Sequence, residues 1–276
     1  MDLSISIVSW NTKQLLDECL QSVFKTTNGI EFEVVVVDNI SSDGSALMVQ
    51  EKHPQVRVIE NIENVGFAKA NNQAYAVSTG RHFLLLNPDT VCHNGALTRL
   101  VNFLDSNPQS GAVGPLVLNP DGSLQYSWAR FPTVISEIIG KLDRRIGSNH
   151  HAPQSASQTR QIGVFETDWV GGCCLLIRRE AVEQIGLMDE SLFMYSEETD
   201  WCYRLHKHSW TVFVETNAEI VHLGGQSSSQ VSETASRYLR SSKQAYFTKH
   251  HGIVPGFFVA LVLYAKSLFR GLLLFC

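Results

Sequence analysis

Two kinds of apolar pattern alternate through the first 118 residues. Compact runs of apolar residues, a few positions long and bounded by turn signals, suit strands buried on both faces; stretches whose apolar positions return every three or four residues suit helices. LSISIVS (Leu3–Ser9), FEVVVVD (Phe32–Asp38), Val56–Glu60, His82–Asn87 and Ala112–Leu118 read as strands. Between them, Lys13–Phe24, a segment capped by the turn Ser41–Ser45, Gly66–Ser78 and Gly95–Asn107 read as helices. Repeated strand–helix alternation predicts an α/β protein with a largely parallel central sheet and helices on both faces.

After Leu118 the alternation breaks. Asn119-Pro120-Asp121-Gly122 is a strong turn, and Ser148–Gln161 is a low-complexity stretch that reads as a mobile loop, either a plain linker or a lid. Asp168–Arg179 reads as a turn plus buried strand, with Gly171-Gly172 allowing a close backbone approach or a bulge. An acidic cluster, Glu197, Glu198 and Asp200, precedes the helical apolar set Trp201, Cys202, Leu205. Thr211–Val214 and Glu219–His222 follow as two short strands, then a helix over Val231–His251. Ile253–Ala265 and Leu272–Phe275 are apolar, interrupted by Lys266 and Arg270. Thirteen apolar residues are short for a membrane span; an aromatic-rich helix flanked by bases suits either the membrane interface or packing on the protein itself. The expected organisation is a main domain over 1–225, with halves 1–118 and 119–225, and a C-terminal helical segment over 226–276.

Composition narrows the class. With 276 residues, 44% hydrophobic and 18% charged, the chain can bury a full core and is not of the disordered type. A formal charge of −5 argues against general nucleic-acid binding. The six cysteines form no C-x-x-C pair and Met1-Asp2 leads straight into a strand, so reduced thiols and a cytoplasmic location are expected.

Candidate chemistry gathers where strands end. Ser9-Trp10-Asn11, Asp38-Asn39 and Asn87-Pro88-Asp89 fall on the edge of the sheet where open α/β folds bind ligands, and Asn61–Ala68 leads into the helix carrying Asn71. Each alone reads as an ordinary turn; together they describe a nucleotide crevice. No G-x-G-x-x-G follows the first strand and no G-x-x-x-x-G-K-[ST] occurs, which removes the main support for dinucleotide and P-loop chemistry. Glu197, Glu198 and Asp200 suit a helix cap or, for one of them, a general base. His222 at a strand end suits a structural role, or a metal site shared with Asp89.

VSWN (Val8–Asn11), VVVVDNISSDGS (Val34–Ser45), NVGFAKANNQA (Asn64–Ala74), LLLNPDT (Leu84–Thr90), Trp169–Leu205 and VHLGG (Val221–Gly225) resemble, in this order, the motifs of family 2 inverting glycosyltransferases, especially a rhamnosyltransferase-like branch serving bacterial surface polysaccharides. The resemblance implies a GT-A fold and transfer of a sugar, rhamnose or a similar hexose, from a nucleoside diphosphate donor to a saccharide or lipid-linked acceptor. It implies that Val8, Ser9, Asn11, Asp38 and Asn39 contact the nucleoside, and that Asn64, Gly66, Phe67 and Asn71 close over base and diphosphate. By the same resemblance Asp89 and His222 hold a divalent cation (Mg²⁺ or Mn²⁺), Glu198 is the base, and Asp200, Trp201, Trp169, Gly171 and Gly172 shape the acceptor side. Asn87 stands where many relatives carry an Asp; a neutral amide is a weaker ligand, so metal affinity should be lower. Lipid-linked acceptors in such a family imply peripheral contact with the inner face of the cell membrane through the C-terminal helix. A sugar-nucleotide-binding module without catalysis and a nucleotidyltransferase are the alternative readings.

Overall fold

The apolar runs form the centre of one mixed sheet. In the computed structural model, which describes residues 1–140, 143–146, 152–224 and 232–273, β1 (Leu3–Ser9), β2 (Phe32–Asp38), β3 (Arg57–Glu60) and β4 (His82–Leu86) pair in parallel in the order β3-β2-β1-β4. α1 (Lys13–Thr26), α2 (Ser45–Lys52) and α3 (Phe67–Val77) connect them. β5 (Thr90–Cys92), α4 (Ala96–Ser106) and β6 (Ser110–Leu118) follow.

The period-2 geometry of a strand divides each run between two cores. Leu84 and Leu86 join Leu3, Ile5, Ile7, Leu16 and Leu20 on one face. Phe83 and Leu85 join Val35 and Val37 on the other. This is why β2 and β4 read as unbroken apolar runs, and why the alternating serines of β1, Ser4 and Ser6, are themselves fully buried: both faces are covered.

Beyond β6 the chain makes the hairpin strand β7 (Leu124–Gln125), closed by the Gly122 N–H to Asn119 O bond of 2.9 Å in the predicted turn. Next come β8 (Trp128–Ala129), α5 (Val134–Ile139), α6 (Ala156–Ile162), β9 (Val164–Thr167), β10 (Trp169–Val170), β11 (Cys174–Arg178) and α7 (Arg179–Ile185). α8 (Glu197–Lys207), β12 (Thr211–His222), α9 (Ser232–His251) and α10 (Ile253–Leu273) complete the described chain. β11 inserts antiparallel between β4 and β6, and β12 runs parallel to β6 with β5 antiparallel on its far side. The six strands β1, β2, β3, β4, β6 and β12 thus share one direction, and the sheet is continuous across the 118/119 boundary.

Two expectations change. The two short strands predicted at 211–214 and 219–222 are one strand whose register slips between Glu215 and Glu219, a bulge that the polar TNA interruption had disguised. Part of the predicted loop 148–161 is α6, started by Ser155, whose side chain accepts a bond from the Gln158 N–H. Residues 148–151, Gly225, Val231 and the tail residues 274–275 of those predictions lie outside the described residues.

α9 and α10 pack on each other through Tyr246, Phe247 and Val259, and this cluster seats against Val134 of α5 and Tyr203 of α8. Leu85→Ala, at a fully buried β4 position, should lower unfolding free energy by about 2–5 kcal/mol in urea titration; a loss well under that range would show that this layer relaxes around the cavity.

Candidate active-site cleft

A cleft of about 590 Å³ opens at the carboxyl ends of β1, β2 and β4, within the range of small-molecule sites. Of the residues singled out in the sequence, Val8, Asn39, Asn64, Gly66, Phe67, Asn87, Asp89, Gly172, Glu198 and His222 line it. Trp10 and Glu197, noted within the same sequence clusters, line it too, as do Phe193, Tyr195 and, from α9, Thr234 and Tyr238, which the sequence did not single out. Aromatics on a non-adjacent helix carry no local signal that marks them as cleft residues.

The donor side is braced by short polar contacts. Ser9 and Asn11 stand behind the wall: Ser9 Oγ meets Thr12 Oγ1 at 3.0 Å, and Asn11, left-handed at φ 52°, accepts the Ser42 N–H at 2.8 Å. Asp38 accepts the Ser41 N–H at 2.8 Å on Oδ2, whereas its buried Oδ1 has no partner among the described residues. Asn71 is buried, donating to Phe67 O and accepting from Ser6 Oγ, so it holds the loop rather than lining the cleft. Asn64 Oδ1 accepts the Gly66 N–H at 3.0 Å. Gly66 has φ +83°, and a Cβ there would sit 2.6 Å from Phe193 O; only glycine permits the Phe67 N–H to reach that carbonyl at 2.8 Å. The NVGF loop and the segment before α8 are thereby fastened together.

At the end of β4, the Asn87 N–H donates to Cys173 O at 2.9 Å and the Asp89 carbonyl accepts the Leu223 N–H at 3.0 Å. These bonds bring Asp89 and His222 together, with His222 Nε2 3.2 Å from Asp89 Oδ1 and 3.2 Å from Asn87 Nδ2. Two ligands at right angles on one ion with bonds near 2.1 Å lie about 3 Å apart, so the pair is spaced to share a cation. Among the described residues, no three His, Cys, Asp or Glu side chains form a metal-holding group, and Asn87 is the third polar neighbour.

The acidic segment faces the same cleft. Tyr195 (φ 72°) and Ser196 (φ 69°) are both left-handed, a strained entry that turns Glu197 and Glu198 inward at the first turn of α8. Burial pushes Glu198 up to about 7, against the pull of the Glu198 and Thr199 N–H groups. Burial and the neighbouring Glu198 charge raise Glu197 well above the usual carboxylate range, and its Oε2 has no partner among the described residues.

The remaining acceptor-side expectations land elsewhere. Asp200 is fully buried and faces α9: Arg204 Nε donates at 2.9 Å, Lys249 Nζ at 2.7 Å, and His250 Nε2 lies at 2.6 Å. Burial raises its pKa, but the His250 bond and the Arg204 and Lys249 charges outweigh this and hold it below the usual value. It is an anchor between two helices and does not line the cleft. Trp201 is a core residue whose Nε1 donates to Gly186 O at 2.9 Å. Trp169 donates to Arg130 O at 3.2 Å, and Gly171 bonds Ser127 O at 2.6 Å. Neither lines the cleft, although Gly172, 3.7 Å from Glu198 Cβ by its virtual Cβ, does. On a helix the position two after Glu198, Asp200, points away from it, whereas Trp201, three after, is drawn into the core by its bond to Gly186 O, and motif order reveals neither.

Comparison with known proteins adds identity to this geometry. The chain is similar to the N-acetylglucosaminyl-diphospho-decaprenol L-rhamnosyltransferase of Mycobacterium tuberculosis, 28% identical over 235 residues, covering 80% of this chain and 75% of that one. It is also similar to a low-salt glycan biosynthesis hexosyltransferase of Haloferax volcanii, 28% identical over 212 residues, covering 75% and 62%. A solved mannosyltransferase of Pyrobaculum calidifontis, in complex with GDP-Man and Mn²⁺, superposes with a TM-score of 0.61 at 17% identity, over 96% of this chain and 68% of that one. The family model described as "Glycosyl transferase family 2" matches residues 4–186. With that match over more than half of its length and a sheet of the GT-A type, the chain belongs to family 2 of the glycosyltransferases.

Proposed function

We propose that the protein transfers a hexose, rhamnose or a near relative, from a nucleoside diphosphate to a hydroxyl of a saccharide or lipid-linked acceptor, with inversion, in cell-surface polysaccharide synthesis. The observation that carries this reading is one cleft lined both by a carboxylate raised to about 7, Glu198, and by the Asp89–His222 pair. A binding module needs only the second.

Asn39 supports the nucleoside end from the cleft wall, and Asp38, buried just behind it, accepts the Ser41 N–H and holds the turn in place. Asp89 and His222 would hold a divalent cation, with Asn87 beside them, the small protein ligand set with which such ions are bound at phosphate sites. When bound, that cation would neutralise charge developing on the leaving diphosphate; Mn²⁺ accompanies the donor in the Pyrobaculum calidifontis structure. Glu198 accepts the acceptor hydroxyl proton while that oxygen attacks the anomeric carbon from the side opposite the diphosphate. One carbon–oxygen bond forms as the other breaks, and inversion follows. A base raised to about 7 is half ionised at neutral pH and matched to this task.

Membrane contact belongs to the same reading. Among the described residues no helix is long and apolar enough to cross a membrane. Yet α10 leaves Ile253, Val254, Phe257, Phe258, Leu261 and Tyr264 exposed, and the adjoining α5 exposes Ile135, Ile138 and Ile139. Lys266, beside them, donates to Glu137 O at 2.6 Å and ties the two helices into one surface. Apolar and aromatic side chains gathered on one helical surface suit the headgroup region of a lipid surface, and a lipid-linked acceptor like the one in the Mycobacterium tuberculosis relative's name would be met there.

Glu198→Gln should abolish transfer while leaving nucleotide-sugar binding intact by calorimetry; turnover comparable to wild type removes the base assignment. The same variant should show a pH-dependent gain in stability. Folding raises the Glu198 pKa, so the folded state holds the proton longer, and native stability falls as pH climbs from the unfolded value of about 4.5 through about 7. Glu198→Gln should therefore melt above wild type at pH 8 and level with it at pH 4. Chelator should stop transfer, and Mg²⁺ or Mn²⁺ should restore it; full turnover in chelator excludes the cation. In flotation with anionic liposomes the full chain should rise, and Phe257→Glu/Phe258→Glu should stay at the bottom; a wild-type chain left at the bottom rules out the lipid contact.

A further inference from the structure

We infer that Gln125 is a positioning residue that fixes the ring tautomer of His222 and thereby presents its Nε2 lone pair to the cation site; the inference rests on the divalent-cation reading above. Gln125 lies on β7, far in sequence from every motif of the cleft and outside its lining, and its side-chain oxygen Oε1 sits 2.6 Å from His222 Nδ1.

Which end of the Gln125 amide faces the ring is decided by its other contacts. Nε2 donates to Asn119 Oδ1 at 2.8 Å and to the main-chain carbonyl of His222 at 3.0 Å. A main-chain carbonyl can only accept, so the amide nitrogen must lie on that side and the oxygen must face Nδ1. Asn119 is itself oriented, since its Nδ2 donates to Ser123 Oγ at 2.9 Å and to Leu124 O at 3.4 Å.

An amide oxygen 2.6 Å from a bare ring nitrogen would set two lone pairs against each other. Nδ1 therefore carries the hydrogen, and in the neutral ring Nε2 is then the acceptor. Nε2 is the atom that faces Asn87 Nδ2 and Asp89 Oδ1, each at 3.2 Å. His222 thus orients Gln125 through its backbone, and Gln125 orients His222 through its ring. Loss of such an outer partner typically costs 10–100-fold in metal affinity.

The test uses the chain labelled with ¹⁵N-histidine, with the His222 signals identified by their loss in His222→Gln. In the wild type without added metal, Nδ1 should carry a proton. Gln125→Met should lose this preference at Nδ1 and bind Mn²⁺ about 10–100-fold more weakly by electron paramagnetic resonance, at a melting temperature close to wild type. Gln125→Glu, which keeps an oxygen acceptor at Nδ1, should keep the Nδ1 proton and restore most of the Mn²⁺ affinity. A bare Nδ1 in the wild type, or an unchanged ring signal in Gln125→Met, overturns the role of Gln125. A wild type with the stated tautomer that binds no Mn²⁺ overturns the cation reading instead, so the two failures are distinct.

Discussion

Two adjacent carboxylates, Glu197 buried and Glu198 half-buried where it lines the cleft, sit at the start of one helix, and the elements around them hold that helix in place. Burial opposes their ionisation while the exposed N–H groups of the first helical turn favour it. The left-handed pair Tyr195-Ser196 turns them inward. The helix behind them cannot drift, because Asp200, one turn on, is bonded to Arg204 on its own helix and to Lys249 and His250 on α9. The carboxylate that anchors the helix and the carboxylate that faces the cleft are thus separate groups.

The donor half was largely legible. Buried strands carry short, dense apolar patterns, so Leu3–Ser9, broken only by small serines, and Phe32–Asp38 came out with their bounds intact and the polar residues at their ends fell on one edge. Asp89, His222 and Glu198 were found by motif and converge as expected in one cleft. What escaped has a physical cause in each case. The bulge in β12 hid a single strand behind a polar interruption. Asp200 and Trp201 shared a motif with Glu198, but one is tied to α9 and the other is buried in the core. Gln125, Phe193 and Tyr238 gained their positions through contacts across the fold, such as the Phe193–Tyr238 stack at 4.3 Å, that no local pattern encodes.

Asn87 also reads differently in three dimensions. As a substitute for a carboxylate it suggested a weaker site. In place, its N–H to Cys173 O bond ties the end of β4 to the Gly172-Cys173 wall, and its amide meets the histidine ring. A residue that gives up charge here still sets geometry.

The reversed strand β11 bears on how the molecule is made. Its register joins 174–178 to 82–86 in the middle of the sheet. On the ribosome, one edge of β4 therefore stays without its partner while some ninety further residues are synthesised. Pairings between such distant segments close slowly, and until this one closes the nascent chain exposes an apolar strand edge of the kind that invites aggregation. β11 follows directly on Gly172 and Cys173 of the cleft wall, so the strand that ends this exposure also seats that wall beside the end of β4.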